Sequence, residues 1–194
     1  MELINLQFVY DDVEDRLLLR IAAANNGSEQ ELRAWLSRRF IGNFWSALQR
    51  GLAVQMTLTH PGAAHASAEL IGMAHRSAID TLTLHGAFAD RFRSDLLPHS
   101  DLAVPFLVAE AKFHIVANEP MRINFLPVEG SGLEITFDDT ELHGFCTLLM
   151  ESVQAAQWHI ALQLESAWDD VHSQDSPAES GFDAPIKGMP PRLN

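Results

Sequence analysis

In INLQFVY the apolar residues Ile4, Leu6, Phe8 and Tyr10 fall on every second position, the period of a strand with one buried face. DDVED interrupts this as a polar turn. Leu17, Leu19 and Ile21 then resume the alternation as far as the loop signal NNGS, so the opening reads as a β-hairpin. In ELRAWLSRRFIGNFWSAL the rhythm changes. Leu32, Ala34 and Leu36 keep the period of two, whereas Ile41, Phe44, Trp45, Leu48 and Leu52 share one face of a helix. Ser37 stands at the junction, where its hydroxyl can accept from a free N–H of the first helical turn.

A related order returns later. After a strand expected around FLVAEAKFHIV, Met121, Ile123 and Phe125 alternate, VEGSG turns, and Leu133, Ile135 and Phe137 alternate again. Leu142, Phe145, Leu149 and Val153 then line one helical face, with Asp138 as N-cap and Glu141 completing a capping box. Adding 101 to Leu32, Ala34, Leu36, Ser37, Ile41, Phe44, Leu48 and Leu52 gives Leu133, Ile135, Phe137, Asp138, Leu142, Phe145, Leu149 and Val153. The expected fold class is therefore α+β, with largely antiparallel strands packed against helices in a duplicated strand-strand-strand-helix unit. Its halves are 1–53 and 105–157.

Between the halves, the alanine-rich HASAELIGMAHRSAI predicts a helix after a break at Pro61-Gly62, TLTLHGAF a strand, and DRFRSDLLPHSD a polar connection. Trp158, Ile160, Leu162 and Leu164 alternate as a closing strand, or else the preceding helix runs on. Residues 1–164 thus make one α+β domain with a helical insertion. Residues 165–194 carry six acidic residues, two basic residues and four prolines, the composition of a flexible acidic tail.

Composition sets the chemistry this frame can carry. The chain has 194 residues, 47% of them hydrophobic, enough for a substantial core, and a formal charge of −13 that opposes nonspecific attraction to nucleic acid or anionic lipid. Nucleic acid and membrane are not expected partners. One cysteine excludes an internal disulfide framework and points to a reducing compartment, and MELINLQFVYDD lacks the basic n-region and small-residue cleavage site of a signal peptide, so the expected location is cytoplasmic.

The stretch DRLLLRI followed by ELRAWLSRRF and an aromatic helix, with LHGFCTLL near the end, resembles a bacterial protein family of about this size. The resemblance covers most of the chain up to the tail and implies the same architecture in a bacterial cytoplasm. It brings no activity and no catalytic residue.

The nine histidines are scattered, and His60, His65, His75, His85, His99 and His114 contain no pair at the i, i+4 spacing of a helical zinc site. No metal or cofactor is expected. Cys146 with His143 is the one nucleophile-like pair, and the position of Cys146 beside Phe145 favours a core residue instead. Asp11, Asp12, Glu14 and Asp15 lack the ligand spacing of a calcium loop and read as a solvated turn.

The arginines are less ordinary. Arg38 and Arg39 occupy the first helical positions, where carboxylates are preferred, and residues 1–53 carry a net −1 against −12 for the remainder. Arg33, Trp35, Arg38 and Arg39 are accordingly the candidate binding residues. The function expected is a noncatalytic binding or adaptor protein with an anion site at the start of the first helix, serving a small anionic ligand, a protein partner or a second copy in a homodimer. The alternative is a hydrolase-like enzyme whose His and Asp residues gather only in the fold.

Overall fold

The structure, a computed structural model, describes residues 2–25, 28–88, 92, 96–98 and 104–164. The tail expected at 165–194, most of the connection around 90–101 and His99 lie outside these residues.

The fold is α+β. Strands β1 (Glu2–Asp11), β2 (Arg16–Asn25) and β3 (Ser28–Ser37) form an antiparallel meander, to which β4 (Phe106–Leu107) adds in parallel. Strands β5 (Glu110–His114), β6 (Met121–Leu126) and β7 (Leu133–Phe137) form a second antiparallel sheet. The expected strand around FLVAEAKFHIV is thus two strands joined by a bend. Val108 N donates to Trp35 O at 2.9 Å and Ala109 N to Leu126 O at 2.8 Å, so the chain leaves the first sheet and enters the second within two residues. At the other side β7 lies near β1.

Helix α1 (Arg38–Thr59) follows β3, and α3 (Asp139–Ala155) follows β7. The order of three strands and a helix therefore occurs twice, with N-caps at Ser37 and Asp138. Ser37 Oγ accepts from Phe40 N at 3.2 Å, while Asp138 makes the full capping box with Glu141. The alternation places Leu17, Leu19, Ile21, Leu32, Ala34 and Leu36 inside the first sheet, and Met121, Ile123, Phe125, Leu133, Ile135 and Phe137 inside the second. Two expected positions differ, and one of them is Tyr10, 37% exposed at the end of β1. A bulge between Leu3 and Asn5 turns Ile4 outward, 43% exposed, and Leu3 packs on the core in its stead.

Each helix crosses to the other sheet. In α1, Phe44 stacks on Phe113 of β5 and tilts against Phe125 of β6, and Gly51 lies against Ile115 and Met121. In α3, Phe145 meets Phe8 of β1 edge-on. Phe44 and Phe145 touch in the centre, so one continuous core joins both sheets.

Helix α2 (Ser67–Leu84), reached through a 3₁₀ turn at Pro61–Ala66, covers α3. It absorbs Thr81–Leu84 of the strand expected at TLTLHGAF, and the remaining four residues form a turn. Ile71, His75, Ala78 and Leu82 recur at helical spacing toward α3, and Leu82 lies so close to Gly144 that a Cβ there would be 2.8 Å from it. The alternation of Thr81-Leu82-Thr83-Leu84 is overridden by that packing.

After α3 the chain forms neither the closing strand nor more helix. Gln157 and His159 adopt positive φ, which ends the helix and drives Trp158 into the core, 2% exposed. Trp158 Nε1 donates to Asp15 in the β1–β2 turn. The following residues run back over α1, where Trp45 Nε1 and Gln49 Nε2 both donate to Gln163 O. Among the described residues, no helix is long and apolar enough to cross a membrane.

Candidate functional site

The candidate residues divide between two surfaces. Arg33 and Trp35 alternate onto the outer face of β3, both half-buried. Arg33 stands opposite Arg20 in β2, and Trp35 between Leu18 of β2 and Leu107 of β4. This face has its own polar centre, which the sequence did not reveal. Arg20 Nε is 2.6 Å from Oε1 of the nearly buried Glu31, its Nη1 donates to Gln7 at 3.3 Å, and its guanidinium lies 4.3 Å from the Phe92 ring centroid. Glu31 also donates its backbone N–H to Leu97 O. Every one of these bonds ties strands or segments together, as expected for a structural ion pair.

Arg38 and Arg39 emerge on the exposed start of α1. Neither forms an ion pair among the described residues. Arg39 lines a groove of about 430 Å³ between the first turns of α1 and the β4–β5 bend. Ser37, Phe40, Asn43 and Phe44 form one wall, and Val108, Ala109, Glu110, Ala111 and Phe113 the other. Its floor is aromatic: Phe40 stacks on Phe44 at 5.5 Å between centroids, and Phe44 on Phe113 at 5.6 Å. Glu110 is answered by Lys112, Oε2 to Nζ 3.8 Å. The groove therefore presents a cation, an amide side chain, strand backbone and an apolar base. Asn43 and Glu110 joined it only through the fold, since 67 positions separate them. Arg33 and Trp35 do not line it.

Among the described histidines, two meet. His75 of α2 and His143 of α3 bring their Nδ1 atoms to 3.3 Å, one ring donating and the other accepting. His143 is 5% exposed, and burial pushes its pKa down to about 4, with His75 adding to the shift. Burial also lowers His75, with Arg76 contributing. Both shifts favour the neutral form of the ring. Among the described residues, no three His, Cys, Asp or Glu side chains gather closely enough to hold a metal ion. His143 turns toward His75, and Cys146 is fully buried with its thiol pushed up to about 12, so it is a core residue without an activating base. Asp11 caps the β1–β2 turn by accepting from Val13 N and Glu14 N, the solvated turn read from the sequence.

The chain matches no protein family, no curated protein and no solved structure.

Proposed function

We propose that this chain is a noncatalytic binding or adaptor protein whose site is the groove between α1 and the β4–β5 bend. The observation that carries this reading is Arg39. It borders a sizeable aromatic-floored groove, and no carboxylate among the described residues answers it, whereas Glu110 across the groove has Lys112. A guanidinium so placed holds a carboxylate or phosphate without first breaking an internal ion pair. Arg38, on the same exposed turn, adds charge that steers an anion toward the site. The ligand is a small anion or an acidic segment of a protein partner. The net charge of −13 disfavours nucleic acid, and the single cysteine suits a reducing, cytoplasmic setting.

Titration with inorganic phosphate, followed by amide NMR shifts, tests the site. Shifts should concentrate at Ser37–Phe44 and Val108–Phe113. The double substitution Arg38→Ser/Arg39→Ser should weaken binding at least tenfold, or about 1.4 kcal/mol. It should leave unfolding intact or raise stability by a few tenths of a kcal/mol, because both cations oppose the helix dipole. Unfolding of the double variant would make the arginines structural, and phosphate binding unchanged by it would remove them from the site.

A further inference from the structure

The groove has a wall that a small anion leaves unused. Among the described residues β5 pairs on one side only, with β6, and its other edge borders the groove along Val108–Ala111 and Phe113. In a strand paired on one side, every second residue turns its N–H and C=O outward, a ready template for another extended chain. The five residues of β5 span roughly 17 Å at about 3.3 Å each. Across the groove from these residues α1 presents Phe40, Phe44 and Asn43 instead of a pairing strand. Of the two charges that line the groove, Glu110 has Lys112 at 3.8 Å, whereas Arg39 has no ion-pair partner among the described residues and is the one open to an incoming carboxylate.

We infer that the groove takes an extended peptide segment of a partner protein, added as a strand to the free edge of β5. Alternate apolar side chains of that segment rest on Phe40, Phe44 and Phe113, and an Asp or Glu reaches Arg39. This rests on reading the groove as a binding site, and it adds the ligand class and the mode. Main-chain pairing gives affinity, and the aromatic floor and Arg39 give selection.

The test pans the full-length chain against a library of random nine-residue peptides. Enriched peptides are synthesised plain and with N-methyl groups on alternate residues, in each of the two registers, which removes N–H donors but keeps side chains and charge. Selected sequences should carry an acidic residue among alternating apolar ones. N-methylation in one register should weaken binding at least tenfold and in the other should not. Amide exchange of Glu110–His114 should slow on binding, and Arg39→Ser should weaken the acidic peptides at least fivefold. Equal binding by both N-methylated forms, protection elsewhere, or no enrichment overturns strand addition. If Arg38→Ser/Arg39→Ser still abolishes phosphate binding in that case, the anion site stands alone. If it does not, both readings fall. Selected sequences that copy residues 165–194, or β5 protection that appears without peptide and disappears on dilution, make the occupant the chain's own tail or a second copy and overturn the partner assignment.

Discussion

Acid should loosen the α2–α3 contact, and His143 sets how much. An ordinary histidine has a pKa near 6.5, and burial holds His143 at about 4 in the folded chain. A base whose folded pKa is depressed contributes stability that is present above its unfolded pKa. That contribution is lost as pH falls from about 6.5 to about 4, because the unfolded chain takes up the proton first. Between pH 7.5 and pH 4.5 the two-pKa linkage gives a loss of about 2.5 kcal/mol from this one ring, at 1.36 kcal/mol per unit. His75 adds in the same direction. Carboxylates titrate in that window too, so the measurement is a comparison: urea midpoints at both pH values for the parent chain and for His143→Gln, which keeps a polar group beside His75 but takes no proton. The variant starts lower, and its decline toward pH 4.5 should be shallower by about 2.5 kcal/mol. Parallel declines, within about 0.5 kcal/mol, would show that His143 is free to charge in the folded state and would refute the buried neutral pair.

Two further substitutions probe the architecture. Asp138→Ala removes one half of the capping box and should cost about 0.5–2 kcal/mol in chemical denaturation, whereas Ser37→Ala, which lacks the reciprocal arm, should fall at the low end. Phe44→Ala empties the point where α1 meets β5, β6 and α3, and should cost about 3–5 kcal/mol; a loss under 1 kcal/mol would mean that the two sheets do not share one core.

What could be read from the residue order was local. Period-two runs gave β2, β3, β6 and β7 because one face of each strand is buried, and Ser37 and Asp138 announced their helices because a cap lies beside the group it satisfies. Where the deciding contact came from far along the chain, the pattern misled. Thr81–Leu84 alternates like a strand, yet Leu82 packs at Gly144 and the residues stay helical. Ile4 keeps the alternation but loses its place to Leu3 at a bulge. Trp158 alternates with Ile160 and Leu162, while its position is fixed by Asp15 in the first hairpin. Of the four candidate site residues, Arg39 reached the groove and Arg38 the turn beside it, and Arg33 and Trp35 went to the opposite face of β3. The groove's other wall, the His75–His143 contact and the Arg20–Glu31 pair have no sequence signal, because each joins residues whose spacing has no local period.

The crossing of the two helices bears on how the chain is made. On the ribosome α1 is complete long before its aromatic partners exist. Phe113 follows Phe44 by about 70 residues, a wait of about 4–14 s at 5–20 residues per second. Through that interval Phe44 lacks the Phe113 and Phe125 rings it packs on, so the apolar face of α1 stays partly open. The last helix, by contrast, emerges onto a β1 already made. Synthesis should therefore leave the first half exposed and let the second half close the core over it.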